Sequence, residues 1–321
     1  MAAVTLSHPA SKNSPHRLLT KLPLRWRLVI LFVISVAGAT AFAAVQFRRC
    51  AELARQNCNS DAGLGWRVSW LTNCRLDCSP NRDDSNPTTL AIQSPRRDLG
   101  AALEVLDLQH NLWLYRAIEE VDGFGPVSSN GLIVAGSDGV WIIDTPWNDH
   151  QTAVLFDWIE DHIGPLRGVV ATHFHHDRLG GIAEAHRRQL ETWGHAKTAQ
   201  LAPSAGLEPP QRTFARSAEL STGSEPFEIF YPGPGHAPDN TVVWFPERNL
   251  LFGGCLVKSA GSKGAGYLGD ARLAAWPASL KALEQRYPET QILVPGHGAP
   301  GSLELTTHTA ALVATATQPL D

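Results

Sequence analysis

Apolar residues recur at regular spacings along this chain, and they mark an ordered region that begins near residue 103. Segments that are continuously apolar, or that alternate apolar and polar residues, indicate buried or half-buried strands. The predicted strands are 103–108, 112–121, 131–135, 140–144, 166–171, 227–231, 241–245, 250–253 and 291–294. Helix signals, such as apolar spacing of three or four residues or a proline at a first position, predict helices at 151–162, 182–190, 277–287 and 303–314.

The predicted strands come in two groups, and helices follow each group. A sheet with one apolar face must bury that face against another layer. Two such halves predict an α/β (α+β) fold in which the two sheets pack face to face and the helices lie outside.

One predicted strand ends in an unusual set of metal-binding side chains. The strand at 166–171 leads into Thr-His-Phe-His-His-Asp-Arg-Leu-Gly-Gly at 172–181. If this segment is extended, alternate side chains face the same way, so His173, His175 and Asp177 converge. Imidazole nitrogen and carboxylate oxygen form a good ligand set for zinc. The alternative interpretation is a histidine-rich surface loop.

Three further candidate ligands follow later predicted strands. His236 lies in a Gly/Pro-rich turn, Cys255 follows the strand at 250–253, and His297 lies in Pro-Gly-His-Gly at 295–298. Taken alone, each has an ordinary interpretation as a turn histidine or a buried structural thiol. Together with the histidine segment they favour a metal centre.

The order of these residues resembles that of the class B metallo-β-lactamases, in the subclass with one three-histidine zinc site and one Asp-Cys-His zinc site. The resemblance extends from about residue 102 to the C-terminus and includes IIDTP at 142–146, LFGGC at 251–255 and YLGDA at 267–271. The segment 232–255, which begins PGPGHAPDNTVVWFP, is most similar to imipenemase-type carbapenemases. The resemblance implies a four-layer αββα sandwich, with the metal site along one edge between the halves.

Two zinc ions per chain are implied by this resemblance. The ligand sets are His173, His175 and His236 for the first zinc, and Asp177, Cys255 and His297 for the second. Six protein ligands shared by two metals leave room for water, as in catalytic zinc sites, and zinc makes hydroxide available at neutral pH. The expected activity is hydrolysis of the cyclic amide of penicillins, cephalosporins and carbapenems, which confers antibiotic resistance, with Asp177 orienting the hydroxide.

Three residues are expected to contact the substrate, and two of them, Lys258 and Tyr267, join Asp177 as candidate catalytic residues. By resemblance, Lys258 binds the carboxylate on the ring fused to the β-lactam. Tyr267 stands where the family often has an asparagine that helps bind the substrate or the oxyanion; its hydroxyl could donate a hydrogen bond, or its ring could reshape the pocket. Phe124 is the apolar tip of a turn at 122–126 that, in the family, closes over substrate. The alternatives are a solvated lysine and a turn with a buried phenylalanine.

Other residues are candidates to support the ligands. Arg178 directly follows Asp177 and, by resemblance, lies beneath the second metal, where it would tune the charge of the site. Asp144 and Asp239 are further candidates for this support, although either could simply cap a turn. His176 matches no ligand position.

The first 47 residues are predicted to be a signal peptide or a membrane anchor. Residues 28–47 form an uncharged segment that is long enough to span a bilayer. Ala-Phe-Ala at 41–43 offers a cleavage site for a signal peptidase. The small residues at 37–44 favour cleavage, whereas the long basic start and Arg48 and Arg49 favour an anchor; we place cleavage slightly ahead. Both interpretations put the main body in the periplasm.

Residues 48–101 form a predicted extension or linker that contains four of the five cysteines. In an oxidising compartment, Cys50, Cys58, Cys74 and Cys78 could form two disulfides, and their pairing stays open. Metal binding through the C-x3-C spacing is a further alternative. The predicted domains are therefore 1–47, 48–101 and a metallo-β-lactamase domain at 102–321.

Charge restricts the partners of the main body. Residues 1–49 hold seven Lys/Arg and no Asp/Glu, and the chain carries −4, so residues 50–321 carry −11. Such an acidic body argues against a nucleic-acid partner, and we expect a monomer that acts on a small molecule. The rival functions are a thioesterase-like hydrolase of the same fold and a non-catalytic zinc-binding module. Arg178, where the thioesterases have a histidine, and Cys255 favour the lactamase.

Overall fold

Two β-sheets form the centre of residues 96–317, the part of the chain that this computed structural model describes. The first sheet has eight strands in chain order, and the second has five in the order β13-β12-β11-β10-β9. The first sheet contains β1 Arg96–Gly100, β2 Leu103–Asp107, β3 Leu112–Val121, β4 Gly125–Gly136, β5 Gly139–Ile143, β6 Leu166–Val170, β7 Glu191–His195 and β8 Arg212–Phe214. The second contains β9 Ser217–Ser221, β10 Pro226–Phe230, β11 Val242–Phe245, β12 Leu250–Gly254 and β13 Ile292–Pro295.

The helices lie outside these sheets and begin where the sequence supplies start signals. Their bounds are α1 Asp149–His162, α2 His176–Leu179, α3 Ile182–Arg187, α4 Ala196–Leu201, α5 Trp276–Arg286 and α6 Glu304–Ala316, with 3-10 turns at Ala202–Ala205 and Pro246–Arg248. The Asn148 side chain caps α1 by accepting a hydrogen bond from the backbone amide of Gln151. Pro277 occupies the first turn of α5, where its missing N–H leaves no bond unmade.

Apolar side chains fill three layers between these elements. The sheets share one core cluster, which includes Leu114, Leu132 and Ile143 of the first sheet and Ile229, Val243 and Phe252 of the second. The other face of the first sheet packs against Leu155, Phe156 and Ile159 of α1, and the second sheet packs against α5 and α6. Every residue of β5 is buried because the strand is covered on both faces. The predicted αββα sandwich is confirmed.

The structure differs from the sequence predictions in several places, and β7, β8, β9 and α4 were not predicted. The helix predicted at 182–190 ends at Arg187, and a separate turn of helix, α2, precedes it. Gly180 and Gly181 separate these helices because any side chain there would collide with Trp147 and Thr152, so α1 packs directly on the glycine backbone. Strand β4 begins at Gly125 rather than 131 because its first half pairs with β3 in a long hairpin. Strand β1 pairs with β2 although it precedes residue 102, so the sheet includes part of the predicted extension.

Four strands end at one edge of the sandwich, and this edge carries the candidate ligands. Strands β5 and β6 run parallel in the first sheet, and β12 and β13 run parallel in the second. Side chains that follow the carboxyl ends of these strands therefore meet at a common edge.

The predictions for the N-terminal region lie outside the described residues. They concern the signal or anchor at 28–47 and the cysteines Cys50, Cys58, Cys74 and Cys78. Within residues 96–317, no helix has the length and apolar character needed to cross a bilayer.

Candidate metal centre

The histidine segment after β6 is extended only as far as His175. His175 has φ −75° and ψ 159° and precedes α2, so Asp177 lies within a helical turn. The expected strand-like alternation is therefore wrong for Asp177. The carboxylate still approaches His173, with 3.9 Å between His173 Nε2 and Asp177 Oδ1.

Three imidazole rings form the first cluster. The Nε2 atom of His173 lies 3.0 Å from Nδ1 of His175, and the rings of both lie 5.1 Å from that of His236. One ligand nitrogen from each ring lies within 4.8 Å of the other two. A tetrahedral zinc with nitrogen bonds of about 2.0–2.1 Å separates its ligand atoms by roughly 3.3 Å, so the cluster fits a zinc ion after small adjustments.

An acidic side chain on a distant loop orients His175. Its Nε2 atom lies 3.0 Å from Oδ2 of Asp270. A ring that donates its Nε2 proton to a carboxylate presents the lone pair of Nδ1, which is the nitrogen that faces His173. Sequence analysis included Asp270 in the YLGDA motif but gave it no role.

A carboxylate, a thiol and an imidazole form the second cluster. Oδ2 of Asp177 lies 3.3 Å from Cys255 Sγ and 3.0 Å from His297 Nε2, and the last two atoms lie 3.2 Å apart. Nδ1 of His297 lies 2.8 Å from the backbone carbonyl oxygen of Ser128, which directs Nε2 towards the other two groups. Oxygen, sulfur and nitrogen donors at these separations fit one zinc ion.

Burial and charge set the protonation of the ligands. Burial lowers the pKa of His173 and of His236 well below the usual value, so both rings are neutral and able to bind a metal at neutral pH. Burial also opposes the charged form of His297, but Cys255 and Asp177 outweigh it and raise the pKa of this ring to about 9. A metal must therefore displace a proton from His297.

Arg178 supports the second cluster from beneath and is completely buried. Its guanidinium donates to Oδ2 of Asp177 at 2.9 Å and Oδ2 of Asp144 at 3.1 Å. It also donates to the carbonyl oxygens of Asn130 and Gly296, at 2.5 and 2.6 Å, and its Nη2 lies 3.4 Å from His297 Nε2. Burial raises the pKa of Asp177, but Arg178 and His297 outweigh it and hold that pKa well below the usual value.

A family model described as the metallo-β-lactamase superfamily matches residues 124–297, and this range contains all six residues of the two clusters. The chain belongs to the metallo-β-lactamase superfamily. The sequence-based resemblance is thereby confirmed, and zinc is the metal that the two donor sets and the family have in common.

This chain is similar to individual metallo-β-lactamases over most of their length. Metallo-β-lactamase type 2 of Bacteroides fragilis is 35% identical over 212 residues, which are 66% of this chain and 85% of that protein. The solved structure of TMB-1 has a TM-score of 0.64 and 38% identity, and it covers 68% of this chain and 99% of its own. The structure of FIM-1 from Pseudomonas aeruginosa, in its mono-zinc form, has a TM-score of 0.64 and 34% sequence identity. The match covers 69% of this chain and 100% of the FIM-1 chain.

Two aspartates of this metallo-β-lactamase domain lie behind the ligands. Asp144 accepts hydrogen bonds from the backbone amide of Thr172 at 2.7 Å and from its hydroxyl at 2.9 Å, so it fixes the start of the histidine segment. Asp239 accepts one from the Thr198 hydroxyl at 2.7 Å. Burial raises the pKa of each carboxyl to about 7. These contacts agree with supporting roles, which stay predictions.

Asn130 was missed by sequence analysis, although it positions the loop that carries His297. Its amide nitrogen donates to the carbonyl oxygens of Pro295 at 2.9 Å and Gly298 at 2.7 Å. No local signal in the sequence indicates this contact, because Asn130 lies more than 160 residues before the loop. His176, which matched no ligand position, is exposed.

The three predicted substrate-contact residues differ in burial and surroundings. Lys258 is buried, and its ammonium nitrogen lies 5.4 Å from the centre of the Trp276 ring. The Tyr267 ring lies 5.6 Å from that of His175. Phe124, at the tip of the β3–β4 hairpin, is 57% exposed, which excludes the alternative of a buried phenylalanine. Their roles towards substrate stay predictions.

Proposed function

We propose that this chain is a zinc-dependent β-lactamase that hydrolyses the cyclic amide of penicillins, cephalosporins and carbapenems. The observation that carries the proposal is the complete pair of ligand clusters, which share one edge and come within 3.9 Å of each other between His173 and Asp177. The named relatives are metallo-β-lactamases and match this region over most of their length. Hydrolysis of β-lactams by such an enzyme confers antibiotic resistance.

The protein residues have distinct tasks at this centre. Zinc supplies Lewis acidity and makes water a nucleophile near neutral pH, where the pKa of bound water is about 7. His173, with its neutral ring, holds the first ion together with His175 and His236. Asp177 is held ionised by Arg178, so it could bind the second ion and orient the attacking hydroxide.

Lys258 fits the task of binding a substrate carboxylate. Burial lowers its pKa, although Cys255 and Asp177 partly offset that effect, so the ammonium is incompletely solvated. A substrate carboxylate would provide an ionic partner in a region of low dielectric constant, where such a pair is strong. Lys258 follows Cys255 by three residues, and its charge interacts with those of Cys255 and Asp177, which supports a carboxylate site beside the second cluster.

We further propose that the domain acts as a monomer in the periplasm, as a secreted protein or attached to the inner membrane through residues 28–47. The basic start, the uncharged segment and the concentration of cysteines before residue 79 support this location. A small-molecule substrate requires no second subunit.

The test measures the hydrolysis of a carbapenem and a penicillin by the purified protein, with and without a chelator, together with the zinc content. We expect chelator-sensitive hydrolysis with about two zincs per chain, because two three-ligand clusters are present. Asp177→Asn is the negative control. Full zinc content with hydrolysis of a thioester, and none of β-lactams, would replace this proposal with the thioesterase-like alternative; no hydrolysis of either would favour a binding module.

A further inference from the structure

Large exposed hydrophobic side chains in residues 96–317 are confined to two segments, the β3–β4 hairpin and the loop at 267–268. They are Ile118, Phe124, Tyr267 and Leu268, which are 43%, 57%, 48% and 37% exposed. Exposed apolar side chains that cluster rather than scatter mark a binding surface. We call these four residues the apolar rim.

Each cluster of ligands borders one side of the apolar rim. On the hairpin side, Ile118 of β3 pairs in register with Ser128 of β4, and the Ser128 carbonyl oxygen contacts His297 of the second cluster. In the other segment, the Tyr267 ring lies 5.6 Å from the His175 ring of the first cluster, at an interplanar angle of 78°. A molecule bound over both clusters therefore has exposed apolar side chains near each cluster.

The orientation of Tyr267 separates the role of its ring from that of its hydroxyl. The phenol end of the side chain folds back against Gly269, so closely that any side chain at Gly269 would collide with it. The hydroxyl therefore faces its own loop, and the ring borders the open centre beside His175. Gly266, with φ +76°, makes the turn before Tyr267, and a Cβ placed on it would lie 3.4 Å from Lys258 Nζ. The ring therefore lies beside a ligand of the first cluster, and the backbone that leads to it passes the predicted carboxylate-binding lysine.

We infer that Tyr267 is a specificity-determining residue, which selects β-lactams with an aromatic or aliphatic substituent through its ring and not through its hydroxyl. This inference rests on the proposed function. In the resembled family, an asparagine at this position helps bind the substrate or the oxyanion by hydrogen bonding. The Tyr267 ring beside His175 instead offers an apolar surface. Contact with an aromatic face favours apolar and aromatic groups, and it loses little when the phenol oxygen is removed.

The experiment compares pairs of cephalosporins that share the ring system and the carboxylate and differ at one substituent, which carries a benzyl group or a methyl group. Both the acyl side chain and the ring substituent are varied, one at a time. Wild-type protein, Tyr267→Ala, Tyr267→Asn and the matched control Tyr267→Phe are assayed with zinc bound. Dissociation constants of the hydrolysed products provide a second measurement that does not depend on turnover.

We expect the preference for the benzyl-bearing substrate, as a ratio of kcat/KM values, to fall about tenfold in Tyr267→Ala, equivalent to ~1.4 kcal/mol. The fall should come mainly from KM, and product affinities should follow the same order. The preference ratio of Tyr267→Asn should resemble that of Tyr267→Ala. The preference ratio of Tyr267→Phe should stay within about twofold of the wild-type ratio, because the ring is retained. An equal loss in Tyr267→Phe would assign the role to the hydroxyl and overturn the inference, as would unchanged preference in Tyr267→Ala. Hydrolysis of the methyl-bearing reference by wild type tests the proposed function separately.

Discussion

Replacing Arg178 with methionine tests whether this buried arginine holds the second cluster together. The substitution keeps an unbranched apolar stem but removes a guanidinium that is completely buried. It leaves Asp144 without its ionic partner and Asp177 with His297 alone, and it removes a donor from the carbonyl oxygens of Asn130 and Gly296. No water can replace these contacts unless the surrounding core opens.

The expected loss is about 4 kcal/mol in the free energy of unfolding. Removal of one partner from a buried ion pair costs about 3–5 kcal/mol, because the remaining charge is left unpaired. The two ionic hydrogen bonds, taken at about 1.5–3 kcal/mol each, lead to the same range. The measurement is urea unfolding of zinc-depleted Arg178→Met and wild-type protein at pH 8, so that metal binding does not mask the difference.

The loss should be smaller at pH 6 than at pH 8. Burial raises the pKa of Asp144 to about 7 even beside Arg178, and removal of the arginine raises it further. When a carboxyl has a higher pKa in the folded protein than in the unfolded chain, the free energy of unfolding falls as the pH rises between these two pKa values. For Asp144 the fall begins near the unfolded pKa of 3.8 and ends above the folded pKa of about 7. At pH 6 this carboxyl is mostly protonated in both proteins, so the absence of the arginine matters less.

A matched control removes an exposed arginine from the same half of the domain. Arg187 pairs with Glu184 and Asp149 but is 56% exposed, so Arg187→Met should unfold at nearly the wild-type urea concentration. A loss below about 1 kcal/mol for Arg178→Met at pH 8, or a loss equal at both pH values, would refute the reasoning. The small loss would mean that desolvation of the guanidinium already cancels its ion pairs. The equal loss would mean that the charge of Asp144 does not change between pH 6 and pH 8.

Three further predictions concern the ligands and the substrate. Cys255→Ser should reduce the zinc content from about two ions per chain to one and cut turnover sharply, because a thiolate is the stronger zinc ligand; unchanged metal content by elemental analysis would remove Cys255 from the ligands. Lys258→Ala should raise KM for carboxylate-bearing β-lactams more than it lowers kcat, since it removes a binding contact; a change confined to kcat would contradict that role. Zinc binding at pH 7.5 should release at least about one proton, because His297 has its pKa raised to about 9 and must lose its proton to coordinate. Calorimetry in buffers of different ionisation enthalpy measures that proton count, and release of none would contradict the protonation of His297.

Local patterns were sufficient to predict most of the sandwich. Strand β3 has the bounds that alternation indicates, and α1 begins two residues before the predicted start. Both elements combine a clear apolar period with recognisable turn or cap residues. The break between α2 and α3 was not predictable, since it depends on the approach of α1 to Gly180 and Gly181 and not on the residues of the segment itself.

The candidate ligands and the neighbouring Arg178 could be predicted from sequence, but two other supporting residues, Asp270 and Asn130, could not. His173 and Cys255 belong to motifs that are recognisable in isolation. Asp270 and Asn130 act only because the fold carries them across the molecule, 95 residues from His175 in one case and 165 residues from Pro295 in the other. A carboxylate or an amide in a loop has no local feature that distinguishes a supporting role from a solvated one.

The metal centre draws its ligands from both halves of the sandwich. The first half, which ends with β8 at Phe214, supplies the histidine segment, and the second half supplies the later residues, His236, Cys255 and His297. Each cluster combines ligands from the two halves, so neither half can form a complete site. Bound zinc ions would therefore cross-link the two sheets in addition to the apolar core that the sheets share, and metal should tighten the association of two fragments divided between Phe214 and Ser217.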